Sequence, residues 1–459
     1  MSNTDLRRFA GLFRAYTELR AQENRSVQVT FVKGNNTTNS RTSTSGISAR
    51  VYMNGSWGFS SNPDTTPESV KAVLEAATAN AAFLDSREHK GKKPLPVVAA
   101  ESVNDFSTKK PRFSQKALAD FAREVDAHIV AKYPKLASRT VNLNCLDMEK
   151  TLLTSDGSYS HSMIPRSIVS VSLSIEKDGQ PVDLYKSFGG LGQFEDVFSE
   201  PSALYEGIEE VYEHVARKSD GVYAEAGLQT CVLDADLAGI LAHEAIGHTA
   251  EADLVMGGSV AGPLLGKVAA SELVTLVDFA NEFGGKICPV PVYIDDEGTK
   301  AEDAVIIDKG ILKGYMHSKE SAALFGIAPT GNARAYQFSD EPLIRMRNTA
   351  IVPGTSTLEE MIGSVDKGYY LVRPTNGQAD STSEFMFGVM LGYEIRNGKL
   401  GRAIKDTTIS GVAFDVLRTV TMVSNEMKWT CAGMCGKKQA IPVGMGGPAI
   451  KCKVSIGGR

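Results

Sequence analysis

Apolar residues recur at helical spacing along some stretches of the chain and alternate with polar ones along others, in no regular order. Helical spacing from about Thr4 to Glu23 predicts an opening amphipathic helix. Alternation then predicts strands at Val27-Thr30-Val32, Gly46-Ser48-Arg50-Tyr52 and Gly55-Trp57-Phe59, the last two joined by an Asn54-Gly55 hairpin turn. Thr66 suits a helix N-cap and Pro67 the first helical position, ahead of an alanine-rich run to Leu84. The polar, basic, proline-containing segment from Asp85 to Arg112 reads as a connector. A helix from near Gln115 to Lys132 follows, then strand-rich sequence to about Lys186 with an Asp178-Gly179 hairpin. A further helix, capped by Ser199 and carrying Pro201 in its first turn, runs to Lys218 and stops at Asp220-Gly221.

Beyond that stop, Thr230-Cys231-Val232-Leu233 reads as a strand leading into a helix that Asp234 or Asp236 can cap, with Leu237, Ile240, Leu241 and Ala245 as its buried stripe. The remainder is mostly strands, with turn signals at Asp296-Glu297-Gly298, Asp308-Lys309-Gly310 and Asn397-Gly398. Strands and helices mix irregularly, so the fold class is α+β rather than a doubly wound parallel sheet. The expected organisation is an N-terminal α+β region over 1–220, with a subdivision near 85–112. A strand-rich C-terminal domain over 221–459 carries the helix just described.

A chain of 459 residues that is 42% hydrophobic can bury sizeable cores. Its net charge of −5 gives no overall reason to bind nucleic acid or an anionic membrane. The basic clusters Lys90-Gly91-Lys92-Lys93 and Lys109-Lys110-Pro111-Arg112 sit in polar, proline-containing sequence and read as solvated linkers. Six cysteines, at 145, 231, 288, 431, 435 and 452, are too sparse for a disulfide framework and suit a reducing cytosol. Cys145, Cys231, Cys288 and Cys452 lie in strand-like sequence and read as small buried hydrophobes. Cys431 and Cys435 could begin a structural metal site, but no second pair closes one. The N-terminus has no apolar signal-peptide core and no segment is long and apolar enough to span a bilayer, so a soluble cytoplasmic protein is expected.

The chemistry-bearing residues are His243-Glu244-Ala245-Ile246-Gly247-His248 and, far downstream, Met434-Cys435-Gly436-Lys437. Neutral imidazole and thiolate are good zinc ligands, and three protein ligands leave a fourth position open for water or substrate. The familiar H-E-x-x-H pattern puts its histidines at i and i+4; here they are at i and i+5. At about 100° per residue, a regular helix would leave them roughly 140° apart. A single π-turn would absorb the extra residue, and Gly247 is a plausible place for it. Glu244, beside the first ligand, is then placed to act as general base. Only seven histidines occur in the chain, and two of them flank one glutamate on an otherwise apolar helix, which favours function over a surface helix with a salt bridge.

These residues resemble the TldD/PmbA family, proteins historically called modulators of DNA gyrase. The resemblance covers nearly the whole chain. In the N-terminal half it rests on Gly46 to Arg50 and on Gly55-Ser56-Trp57-Gly58-Phe59-Ser60-Ser61. In the C-terminal half it rests on His243 to His248 with Glu251 and Asp253, on Asp296-Glu297-Gly298-Thr299, and on Pro329-Thr330-Gly331-Asn332-Ala333-Arg334. Arg345-Met346-Arg347-Asn348-Thr349 and Cys435-Gly436-Lys437 before Pro442-Val443-Gly444 extend the match. The resemblance implies zinc on His243, His248 and Cys435, Glu244 as catalytic carboxylate, and proteolysis of unfolded or flexible peptides. It also implies a dimer, since PmbA-like members lack the zinc ligands and form the non-catalytic half of a heterodimer; this chain is similar to the TldD branch. One departure concerns the glycine that usually stands between Cys-Gly-Lys and the following glutamine. Here Lys438 precedes Gln439, and the conformational freedom of glycine is lost.

The resulting expectation is a metallopeptidase, working as a homodimer or beside a PmbA-like paralogue, without nucleic acid or membrane as partner. Asn332, Arg334, Arg345 and Asn348 are candidates for substrate contact. A zinc deaminase would need H-x-E and P-C-x-x-C, and both signatures are absent. The alternative is a non-catalytic interaction or regulatory subunit with a structural or vestigial metal site, and an open coordination position facing Glu244 would separate the two.

Overall fold

The computed structural model describes residues 5–91, 94–379, 382–430 and 432–457. Thr4, Lys92, Lys93 and Cys431 lie outside the described residues, and with them part of the first basic cluster and the Cys431–Cys435 spacing.

The chain is α+β. Its N-terminal half is organised by one antiparallel sheet. Strands β1 (Tyr16–Val32), β2 (Asn35–Met53) and β3 (Ser56–Asn62) form one flank, and β5 (Ser138–Thr154) and β6 (Tyr159–Lys177) the other, in the order β3-β2-β1-β5-β6. The short β4 (Glu101–Asp105) pairs parallel with the start of β6, and β7 (Gln180–Leu191) pairs antiparallel with its remainder. Helix α1 (Pro67–Glu88) covers one part of this sheet and α2 (Gln115–Lys132) another. Thr66 caps α1 through Ser69 N, as its sequence predicts. Gly58 is a glycine because the sheet meets α1 there: a Cβ would lie 2.2 Å from both Ala77 O and Ala81 N. The expected connector contains the end of α1 and all of β4.

The opening helix expected over Thr4 to Glu23 does not form. A 3-10 turn spans Leu6–Leu12, and β1 begins at Tyr16. The reason lies in burial on both faces of β1. Leu19 and Ala21 enter the apolar core, while Glu18, Arg20 and Gln22 point into a buried polar seam against the C-terminal half. The strand therefore lacks the polar-out, apolar-in contrast that marks a half-buried strand. Ser199 is likewise not a cap. Glu200 precedes a 3-10 turn at Pro201–Leu204, and the α-helix proper is Tyr205–Ser219.

The C-terminal half contains two larger sheets. In one, the strand Lys367–Ala379 pairs with β8 (Gly227–Leu233), followed by Ile450–Ile456, Thr407–Val412 and Glu384–Arg396. The last of these pairs back onto Lys367–Ala379 and closes a ring. The other is built around Leu276–Phe279, Asn348–Ile351 and Gly444–Gly447. The segment that follows β8 is buried between them: Leu237, Leu241 and Ile246 share one core with Phe387 and Ile409 of the first sheet and Leu276 and Ile351 of the second. Cys145, Cys231, Cys288 and Cys452 are buried free thiols.

The two halves are tied by ion pairs from the motif-bearing segments. Arg50 on β2 donates to Glu18 at 2.8 Å and to Glu297 at 2.5 Å. Lys150 meets Asp296 at 2.7 Å, and Lys319 meets Asp156 at 2.6 Å. All seven of these side chains are largely or wholly shielded from solvent, so removing one partner would strand the other at a cost of about 3–5 kcal/mol.

Candidate metal centre

Helical structure starts at Ala235 with Asp234 as N-cap residue, and its bonding pattern widens to π over Leu241–Gly247. The His248 N–H donates to the His243 carbonyl, an i to i−5 bond that joins the two histidines directly. This is the widened turn that the five-residue spacing calls for. The part played by Gly247 is spatial. Its φ of −55° and ψ of −51° suit any residue, but a Cβ would lie 2.0 Å from Met346 Sδ.

Cys435 arrives from the other end of the chain on a short hairpin, Met434–Cys435 paired with Ile441–Pro442. Its Sγ lies 3.4 Å from His248 Nε2. His243, His248 and Cys435 each present one ligand atom, all within 4.8 Å of one another. His243 is completely buried, and neither of its ring nitrogens has a hydrogen-bond partner in the protein. An orphaned buried imidazole is costly unless something is bound to it. The donor set of two imidazoles and a thiol fits a borderline-soft divalent cation.

Burial alone would push the Cys435 thiol up, but the neighbouring imidazoles of His243 and His248 hold it down at about 3. Burial would equally push His248 down, and its bonds to Cys435 and Glu251 raise it to about 10. The thiol and the imidazole thus lie 3.4 Å apart, each shifting the other toward its charged form. A cation binding there would displace a proton and take the thiolate as a ligand.

Glu244 completes the cluster, with one carboxylate oxygen 3.6 Å from His248 Nε2 and the other 4.0 Å from His243 Nε2. It is also on the wall of a cavity of about 420 Å³, shared with Tyr185 to Ser187 of β7, Arg373, Trp429 and Met434. Three candidate ligand atoms, an adjacent carboxylate and a neighbouring cavity are the parts that a hydrolytic metal site requires.

None of the four candidates for substrate contact lines that cavity. Asn332 and Asn348 are fully buried; the first donates to Asp278 and the Arg345 carbonyl, the second to the Phe279 and Val290 carbonyls. Arg334 donates to the carbonyls of Met346 and Pro442. Arg345 reaches the hairpin itself, at 2.7 Å to the Cys435 carbonyl and 2.9 Å to that of Gln439. Two further residues bear on the site through their charge. Glu251, fully buried, accepts from His248 Nδ1 at 3.2 Å, and Lys437 approaches the same carboxylate oxygen at 3.0 Å. Their sequence signal is proximity to ligands, three residues after His248 and two after Cys435.

A family model described as the PmbA/TldA metallopeptidase C-terminal domain matches residues 226–458, and one described as PmbA/TldA metallopeptidase domain 1 matches residues 17–81. The chain belongs to the PmbA/TldD metallopeptidase family. It is 32% identical over 428 residues to a metalloprotease TldD homolog of Buchnera aphidicola subsp. Schizaphis graminum, which covers 90% of this chain and 86% of that one. A zinc metalloprotease TldD homolog of Saccharolobus solfataricus is 27% identical over 422 residues, 90% of each chain. Among solved structures, TldE from Thermococcus kodakarensis matches with a TM-score of 0.74 at 18% identity over 99% of each chain, a likeness of fold. No helix among the described residues is long and apolar enough to cross a membrane.

Proposed function

We propose that this member of the PmbA/TldD family is a zinc-dependent peptidase acting on unfolded or flexible peptide segments, with His243, His248 and Cys435 as ligands and Glu244 as the catalytic carboxylate. The carrying observation is the convergence of three ligand atoms within 4.8 Å beside a carboxylate that opens onto a cavity. Thiolate ligation favours zinc over harder divalent ions, and the name of the Saccharolobus relative agrees. When bound, zinc would polarise the scissile carbonyl and lower the pKa of water toward neutrality. Glu244, on the cavity side of both imidazoles, would take the proton from the attacking water and return it to the leaving amine.

The cavity supports the substrate class. At about 420 Å³ it is too small for a folded domain, and one wall is Tyr185 to Ser187 of β7. The ladder of β7 runs to β6 along one edge. A peptide lying along the other edge would be held by backbone hydrogen bonds, which give affinity without demanding a sequence. Asn332, Arg334, Arg345 and Asn348 serve in this reading as supports for the loops around the metal. The catalytic machinery falls within 221–459, and the partner is a second copy of the chain or a ligand-less PmbA-like paralogue, in the cytoplasm.

The test is metal content and hydrolysis of an unstructured peptide library, with the chain alone and with any such paralogue, against Glu244→Ala. About one zinc per chain is expected, with cleavage abolished in Glu244→Ala while zinc stays bound. Zinc retention without cleavage by the unaltered chain, alone and paired, would overturn the peptidase reading.

A further inference from the structure

The ligands come from two segments that the sequence places far apart, and something must hold them in register. Cys435 sits on a hairpin whose strands are two residues each, too short to be fixed by its own ladder. His248 sits immediately after a locally widened turn, where the imidazole is free to swing unless its far nitrogen is tied. One side chain reaches both. Lys437, two residues beyond Cys435, extends back to the segment after His248. Its Nζ lies 3.0 Å from Glu251 Oε2, 2.7 and 2.9 Å from the two oxygens of Asp253, and 3.2 Å from the Ile344 carbonyl. The Glu251 oxygen that it meets is the one that accepts from His248 Nδ1 at 3.2 Å.

We propose that Lys437 is a positioning residue that locks the Cys435 hairpin to the His248 ligand through the Glu251 carboxylate, so that thiolate and imidazole face one metal ion together. The inference rests on the metal-centre reading above and deepens it. Glu251 commits Nδ1 of His248 as a donor, which leaves Nε2, the nitrogen 3.4 Å from Cys435 Sγ, as the one with a lone pair for a metal. Glu251 is fully buried, and Lys437, with its side chain only 13% exposed, supplies a counter-charge from the very segment that carries the thiolate. Asp253 balances the second half of the bargain. It holds the ammonium through both of its carboxylate oxygens.

A lysine that merely solubilised the hairpin would have no influence on metal affinity, and one that merely stabilised the fold would affect the protein with or without metal. The experiment therefore reads zinc affinity by competition with a chelator, alongside the melting temperature of the chelator-stripped protein. It compares the unaltered chain with Lys437→Met, Lys437→Arg, Glu251→Gln and the Lys437→Met/Glu251→Gln double variant. Outer-shell partners of metal ligands are worth roughly 10–100-fold in affinity. Lys437→Met is expected to weaken zinc binding by about that factor, Lys437→Arg to recover most of it, and the double variant to lose no more than the worse single one. Substituting cobalt for zinc adds a spectroscopic check: the thiolate-to-cobalt absorption of Lys437→Met should weaken or move relative to the unaltered chain.

Unchanged zinc affinity in Lys437→Met, or losses that multiply in the double variant, would overturn the proposal. So would a loss matched by an equal fall in stability of the stripped protein that Lys437→Arg does not repair. Should Lys437→Met fail to fold, Glu251→Gln, which keeps the size and one hydrogen bond, carries the same expectation. The outcome is separable from the peptidase reading: zinc held through this lock without peptide cleavage would sink the peptidase reading alone. Cleavage with undiminished affinity in Lys437→Met would sink the lock alone, and no zinc on the unaltered chain would sink both.

Discussion

Replacing Gly247 with alanine isolates what sets the widened turn between the two histidines. The backbone at Gly247 is ordinary helix, so alanine would gain about 1 kcal/mol of intrinsic propensity. Against this, the new Cβ would lie 2.0 Å from Met346 Sδ and 3.3 Å from the Ala242 carbonyl. Met346 is fully buried, and Arg334 holds its carbonyl at 2.5 Å, so its side chain must move within a packed core. Overpacking of this kind costs about 1–3 kcal/mol. Methionine yields more readily than a branched residue, which places the cost near the middle of that range and the net loss at about 1 kcal/mol. The control is Met346→Ala, which removes the obstructing sulfur. In that background Gly247→Ala should change sign and stabilise by about 1 kcal/mol, a coupling of about 2 kcal/mol between the sites. Urea unfolding of the four chelator-stripped proteins measures both effects, and zinc competition on the same set reports whether the displaced turn carries His248 out of position. The same sign in both backgrounds would refute the spatial explanation.

Two further perturbations follow from local conformation and charge. Lys438, directly after Cys435-Gly436-Lys437, holds φ at +53°, the left-handed region that favours glycine. Lys438→Gly should therefore raise the stability of the stripped protein by about 0.5–1 kcal/mol, read from urea midpoints, and a loss would show the position to be unstrained. His317 is fully buried among Tyr315 and Phe325, and burial pushes it down to about 4 from an ordinary 6.5. Because the folded value is the lower one, its contribution to stability is present above pH 6.5 and is lost as pH falls toward 4, about 2 kcal/mol of it by pH 5. His317→Leu should flatten the difference in stability between pH 7 and pH 5 by that amount, and an unchanged difference would remove His317 from the acid response.

Where the sequence pattern reported the fold faithfully, one face of an element was wet and the other dry. Helix α2 was legible because Leu118, Phe121, Val125 and Ile129 make one buried stripe. The strand at the chain's end was legible because Ile450, Cys452, Val454 and Ile456 alternate inward. It misled at β1, where Glu18, Arg20 and Gln22 are as buried as Leu19 and Ala21, and a pattern of polar and apolar residues cannot reveal a polar core. The five-residue histidine spacing made the π-turn readable because a metal cluster cannot be built on a regular helix from such a pair. The partnership of Cys435 with that turn was readable by resemblance and chemistry; no local pattern states which distant segments meet.

The same limit bears on Asn332, Arg334, Arg345 and Asn348, which the sequence offers as candidates for substrate contact. In the fold each of them donates to at least one main-chain carbonyl, and Asn332 donates to the Asp278 carboxylate as well. The physical need is specific to how the centre is assembled. A hairpin of two-residue strands has few apolar anchors, so its place is set by hydrogen bonds to its carbonyls. Arg166 reaches Gly433 at 3.0 Å, Arg345 reaches Cys435 and Gln439, and Arg334 reaches Pro442. Buried guanidinium groups suit this task, since one can satisfy several carbonyls in a fixed fork where a lysine would be a single point. Their loss should then appear as weakened metal binding and a displaced thiolate before it appears as altered affinity for peptide, which is the reverse of what a substrate-binding arginine would give.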